Sequence, residues 1–404
     1  MYLNGSKWKM TKRPRRRSRP WRIFILLALI GVVVYVNQVV VPITEPLFIP
    51  TITPTTNPES FTNRAEAYYK EGKLLQAIEA YEQAILSEPA DSKHYVSLAR
   101  IQILAGQYEE ALENAELAVL RSNDNPLAHV VKAWALDFMG DYVLAEASIK
   151  TALKLAPNNA FAHAVYAEIL IDNGEFEQAI DESLKALELD PTSLEVHRAR
   201  GYVLYWTGNY REAINEYNAA ININNKIPNL HLMQGYSYYA LNEYDQAVKA
   251  FSQANALNPS DPEPDYEISR IYLLEGLFNR AVQYAAQAVD DAPTDPKMHG
   301  NLGVMYAKDG QNEKALEHLS LAVHGGITEN GEIVQGIPLS YKPKVIEIFS
   351  SYSLTLARTN QCAEAIPIFQ TMLSEVGENE VAVANATEGL SICQANLENE
   401  DSSP

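Results

Sequence analysis

Residues 160–193 read AFAHAVYAEILIDNGEFEQAIDESLKALELDPTS, and this stretch decides the fold. Tyr166, Ala167 and Leu170 fall at i, i+1 and i+4 and mark the buried stripe of a first helix. Gly174 stands where that helix must end, because glycine enters the left-handed region at a C′ position without a Cβ penalty. Phe176, Ala179, Ile180 and Ala186 belong to a second helix that faces back on the first. Pro191, following Asp190, stops it.

Moving outward, the same marks recur every 34 residues. Glycine returns at Gly72, Gly106, Gly140, Gly208, Gly276 and Gly310, with Asn242 in the one remaining slot. Alanine follows in register at Ala77, Ala111, Ala145, Ala213, Ala247, Ala281 and Ala315, and again seven residues later from Ala84 to Ala322. The eighth position of each unit is never large: Ala65, Ala99, Ala133, Ala167, Gly201, Gly235, Ser269 and Gly303. Small side chains there let paired helix axes approach toward the short end of the usual 8–10 Å range.

A period of this length with small residues at fixed offsets resembles the tetratricopeptide-repeat family, a helix–turn–helix unit that stacks into a solenoid. Eight contiguous units occupy residues 58–323. The pattern breaks over residues 324–342, where Asn330-Gly331 between short apolar runs predicts a hairpin or ordered loop. Register resumes with Phe349, Tyr352, Leu356, Ala365 and Phe369, giving a ninth unit and a capping helix over residues 343–396. Residues 397–404 are expected to be a disordered tail. The fold class expected is all-α, a right-handed superhelical solenoid of about nine repeats plus the cap, preceded by one N-terminal transmembrane helix.

That last expectation rests on residues 1–41. Nine cations and no acid precede IFILLALIGVVVYVNQVVV, an uncharged run at residues 23–41. The run matches the roughly 20 residues that cross a bilayer core. It exceeds the apolar stretch of a cleaved signal peptide, and no Ala-x-Ala site follows. The positive-inside rule then makes residues 1–22 a basic cytoplasmic tail and places the repeats on the extracytoplasmic side. Pro42, Pro46, Pro50, Pro54 and Pro58 recur every four residues and suggest an extended stalk over residues 42–57. In this arrangement the chain resembles membrane-anchored bacterial tetratricopeptide proteins.

Without the nine N-terminal cations, 23 basic residues face 51 acids, a net charge of −28 for residues 23–404. Such a surface excludes nucleic acid, whose phosphates need cations. It favours a basic partner at long range, or serves solubility alone. The only cysteines, Cys362 and Cys393, lie at helix ends on one edge of the last elements. They read either as a disulfide or as two buried thiols.

Catalytic chemistry is not visible. His129, His163, His197, His231 and His299 form a column one repeat apart. Neighbours there lie roughly 10 Å from one another on the scale of helix spacing, too far to share a zinc ion. No phosphate-cradling glycine loop, HExxH or nucleophile elbow occurs, so neither an enzyme nor a cofactor is expected.

The family resemblance implies a concave groove lined by positions 2, 5, 9, 12 and 13 of each unit. Those positions hold Trp134, Phe138, Tyr202, Tyr205, Trp206, Tyr236, Tyr239 and Tyr266, with Arg100, Arg198 and Arg270 among them. Aromatic rings beside arginine are the residue types that dominate interface energies. The other reading of the same rings is packing between neighbouring repeats. A chaperone-type carboxylate clamp is excluded, because the fifth and ninth positions contain neither lysine nor asparagine. The expected function is a membrane-anchored, non-catalytic scaffold that holds a protein or peptide segment in this groove. The alternatives are an envelope carbohydrate or glycoprotein binder, or a subunit of an envelope assembly complex.

Overall fold

The structure, a computed structural model, describes residues 20–35 and 58–401. The first stretch is helix α1 (Pro20–Tyr35), 16 residues long. At 1.5 Å per residue it spans about 24 Å, short of a hydrocarbon core of about 30 Å. Among the described residues no helix is long and apolar enough to cross a membrane. The transmembrane helix expected at residues 23–41 is therefore overturned: the helix described there, Pro20–Tyr35, is too short for a span. The placement of the repeats on an extracytoplasmic side falls with it, since that placement needed a span. Most of the basic segment and all of the proline-rich stretch at residues 42–57 lie outside the described residues.

From residue 58 onward helices alternate in pairs. These are α2 (Pro58–Lys70) with α3 (Leu74–Ser87), α4 (Ser92–Leu104) with α5 (Tyr108–Arg121), and α6 (Pro126–Phe138) with α7 (Tyr142–Leu155). Next come α8 (Ala160–Asp172) with α9 (Phe176–Leu189), α10 (Leu194–Trp206) with α11 (Tyr210–Ile223), and α12 (Pro228–Ala240) with α13 (Tyr244–Leu257). The series closes with α14 (Pro262–Leu274) and α15 (Phe278–Asp291), then α16 (Pro296–Lys308) and α17 (Asn312–His324). Each first helix of units two to four starts on a side-chain cap: Asp91 accepts from the Lys93 amide, Asn125 from Leu127 and Asn159 from Ala162. The turn inside the fourth unit shows how the helices end. Gly174 has φ +80° and Glu175 N donates back to Leu170 O at 2.7 Å, closing the orphan carbonyls. Asn242 adopts φ +59° in the slot that lacks glycine.

The small eighth position has a specific partner. An added Cβ at Gly201 would lie 2.8 Å from the Tyr217 ring, at Gly235 2.6 Å from Phe251, and at Gly303 2.6 Å from Leu319. Glycine thus stands where the facing second helix sends in a bulky side chain.

After α17, β1 (Gly326–Ile327) pairs antiparallel with β2 (Ile333–Val334) around Asn330-Gly331. The stack resumes with α18 (Pro343–Arg358), α19 (Cys362–Glu375) and α20 (Glu380–Asp401). Ile348 of α18 covers Gly300 of α16, so the insertion leaves the helical stack continuous. The segment expected to be disordered from residue 397 is helical as far as Asp401.

The solenoid winds tightly enough to touch itself. Asn224 Nδ2 donates to Tyr69 O at 3.0 Å, and Arg100 pairs with Glu195 at 2.5 Å, bringing the first two units onto the fifth. One core cluster accordingly runs from Ala65 and Tyr81 to Tyr217, Ile227 and Leu230.

Candidate functional site

The first helices of the units carry the positions at which the family resemblance places a groove, and burial divides those residues into two sets. Trp134 is fully buried, meeting Phe161 edge-on with ring centroids 5.4 Å apart. The Arg198 guanidinium lies 4.7 Å from the Trp134 ring centroid and donates to Glu168, and both charged side chains are buried. Burial pushes the Glu168 carboxyl up to about 7 against the pull of Arg198. Phe138 stacks on Tyr108 at 4.6 Å, near-parallel, and keeps about a third of its surface. Together these residues pack α6 against α8 and α10.

The second set forms an aromatic ridge on α10 and α12. Trp206 is 53% exposed and stands edge-to-face against Tyr205 at 5.6 Å and Tyr202 at 6.1 Å. Its supports are themselves fixed. Tyr202 donates its hydroxyl to Asp172 at 2.6 Å, and Tyr205 contacts Tyr236 at 6.4 Å. Tyr236 in turn donates to Glu263 at 2.8 Å and packs on Phe251. Burial and the facing carboxylates raise both phenols above their ordinary range, so they stay neutral donors. Tyr239 leans on Tyr244 at the outer end.

The remaining groove residues do not join the ridge. Arg100 sits in the self-contact with Glu195 and lies over the Tyr69 ring. Tyr266 is buried beneath two ammonium groups, Lys297 and Lys344, at 4.3 and 4.4 Å from its centroid. Arg270 pairs with Glu347 of α18 at 2.9 Å.

The histidine column pins turns between units. Nε2 of His129, His163, His197, His231 and His299 each donates to a carbonyl six residues upstream, at 2.8–3.0 Å. Sequence reasoning missed another group, Glu88, Asp91 and His94, whose ligand atoms lie within 4.8 Å of one another. Its Asp91 carboxylate already serves as the α4 cap. A disulfide joins Cys362 and Cys393, with Cα atoms 5.4 Å apart, and fastens α20 to the start of α19.

Models of the tetratricopeptide repeat match residues 62–126, 139–201, 232–296 and 266–330. The chain belongs to the tetratricopeptide-repeat family. Comparison with curated proteins finds no match. Among solved structures, similarity extends to the Cut9-Hcn1 APC/C hetero-tetramer, at 15% identity and TM-score 0.49 over 62% of this chain. The chain spans about half, 49%, of that structure's length. A tetratricopeptide repeat protein from Parabacteroides merdae is 18% identical, with TM-score 0.41, covering 61% of this chain and 98% of that one. A human IFIT1 dimer with PPP-AAAA is 17% identical, with TM-score 0.49, covering 65% and 71%.

Tetratricopeptide proteins bind protein partners and are generally non-catalytic scaffolds. In this member the family's concave positions are shared between self-packing around Trp134 and an exposed ridge around Trp206.

Proposed function

We propose that this repeat protein is a scaffold that holds a protein or peptide segment against the aromatic ridge of α10 and α12, with Trp206 at its centre. One observation carries the reading. Trp206 leaves half its surface to solvent while resting on Tyr202 and Tyr205, which hydrogen bonding and ring packing hold in place. An exposed indole on an ordered base binds without first losing conformational freedom, which is the property of a hot-spot residue. The acid excess of residues 23–404 supports a partner that carries cations.

The test is selection of a random peptide library on the full chain, followed by affinity and melting measurements on Trp206→Ala with the selected peptides. A hot-spot indole predicts a loss of about 30-fold in affinity, or about 2 kcal/mol, with little change in melting temperature. A strong fall in melting temperature with affinity unchanged assigns the ring to the core and ends the proposal.

A further inference from the structure

Beside the ridge lies a cavity of about 240 Å³ that the family groove pattern does not anticipate. It is many times the roughly 30 Å³ that one water occupies. Asp137, Glu168 and Asp172 supply three carboxyl groups, against the single guanidinium of Arg198. Phe138 and Tyr142, each over a third exposed, give it an outward edge, and Tyr202 and Tyr217 form inner walls.

The concentration of unpartnered polar atoms is the decisive feature. Among the described residues nine buried side-chain atoms have no hydrogen-bond partner in the protein, and four belong to residues lining this cavity. Three are oxygens, Asp137 Oδ1, Glu168 Oε1 and Tyr217 Oη; the fourth is Arg198 Nε. Asp137 is 6% exposed and Glu168 3%, so neither reaches bulk water to make good the loss. An unmet buried carboxyl oxygen costs free energy that a guest donor would return.

We propose that this cavity receives the side-chain ammonium of a lysine presented by the bound peptide, with Asp137 Oδ1, Glu168 Oε1 and Tyr217 Oη as acceptors, Asp172 adding negative charge beside them, and aromatic rings around the alkyl stem. The proposal deepens the scaffold reading, on which the peptide, though not the cavity, depends. An ammonium fits better than a guanidinium for two reasons. It is a compact charge with three rotatable donors, and three acceptor oxygens without partners await it. Arg198 already occupies the flat position over Trp134 that a second guanidinium would need. Lysine keeps its charge below about pH 10 and its four-carbon stem suits ring faces at the edge.

A proton stands in for the guest. Asp137 and Asp172 face each other in hydrogen-bonding reach, and burial with the neighbouring Asp172 and Glu168 charges pushes Asp137 up to about 9. The groups facing Asp137 are Asp172 and Glu168 on α8, Arg198 and Tyr202 on α10, Tyr142 on α7 and Tyr217 on α11. Ammonium entry neutralises this cluster in place of the shared proton, which leaves to solvent. Binding therefore strengthens as pH rises from 7 toward 9.

The first probe is n-butylammonium chloride, titrated into full chain labelled with ¹³C-carboxyl aspartate, with Asp137→Asn assigning the signal. The expected result is a saturable move of the Asp137 carbon toward its ionised position, beyond that in sodium chloride of equal ionic strength. No such move, or an equal response to calcium chloride, overturns the ammonium receptor. Trp206→Ala should leave this titration unchanged, which separates it from the ridge. The second probe is a peptide selected on the full chain. Replacing its lysine with norleucine should cost at least about tenfold in affinity, and that loss should vanish in Asp137→Asn. Peptides that need Trp206 but show no lysine dependence overturn the cavity proposal and leave the ridge standing. A butylammonium response without any selected peptide keeps the receptor and removes the peptide ridge.

Discussion

The side-chain amide of Asn224 donates to the main-chain carbonyl of Tyr69 at 3.0 Å, across 155 residues of sequence. The same Asn224 caps its own turn by accepting from the Lys226 amide, and Lys226 covers Gly72. With the Arg100–Glu195 pair alongside, this contact closes the first superhelical turn.

Removing the contact should open the turn locally. Asn224→Ala is expected to cost about 1 kcal/mol, and to speed amide exchange over residues 58–90 several-fold. Arg100→Met breaks the same closure while leaving the residue 224 turn intact, so it should reproduce the exchange pattern. Uniform acceleration along the whole chain in both variants would show that the closure has no local role.

The eighth-position glycines should resist even one methyl group. At Gly235 the new Cβ would meet the Phe251 ring at 2.6 Å, and Phe251 is fully buried against Tyr236. Gly235→Ala is expected to destabilise by about 1–3 kcal/mol, as overpacked cores do. Gly235→Ala combined with Phe251→Leu should recover part of this, because the smaller side chain reopens the space. Calorimetric melting of the two variants decides it; no recovery in the pair would place the strain elsewhere.

What the sequence discloses and what it conceals follow from the range of the interactions. The turn at Gly174 and the pairing of Gly201 with Tyr217 repeat within one unit, so periodicity exposes them. The burial of Trp134 follows no repeat-wide rule: the same position is buried at Glu168 and Val304 and exposed at Glu66. It depends on how far the stack rotates per unit, and hence on contacts such as Asn224 with Tyr69 that no local pattern encodes. Trp206 and Trp134 thus look alike in the sequence, on groove positions beside tyrosine or phenylalanine, and differ fully in exposure. The acids Asp137, buried, and Asp172, half-buried, carried no signal, because single carboxyls in an acidic chain are common. Hydropathy in turn marked residues 23–41 as one apolar run, whereas a span needs helix length, and the helix described there covers only Pro20–Tyr35.

The disulfide should matter most for the last helix. It closes 31 residues of sequence, and chain entropy assigns such a link about 3–4 kcal/mol. Asn396 adds a hydrogen bond to Ala357 O at 3.0 Å, and Phe369 fills the space over Gly389. Reductant is expected to lower the melting temperature and to release α20 first, seen as protease cleavage within residues 376–401. Alkylation of the unfolded, unreduced chain should label neither cysteine; full labelling there would mean two free thiols.

Asp137 gives a pH signature in stability that needs no ligand. Its folded carboxyl titrates at about 9, against about 3.9 in an unfolded chain. Between those values the folded state holds a proton that the unfolded state has released, so this group's contribution to stability falls as pH rises. The decline begins above the unfolded value and levels off above about 9. The amide introduced by Asp137→Asn keeps the shape and the donor toward Asp172 but cannot ionise. The variant should therefore match the wild type near pH 4 and exceed it by a growing margin up to pH 9. Glu168 and Asp172, also raised by burial, remain in both proteins and largely cancel in the difference. Denaturant melts of the two chains across this range provide the check. A stability difference that stays flat from pH 4 to 9 would mean that Asp137 ionises like an ordinary surface carboxyl, and would remove the shared proton from the cavity.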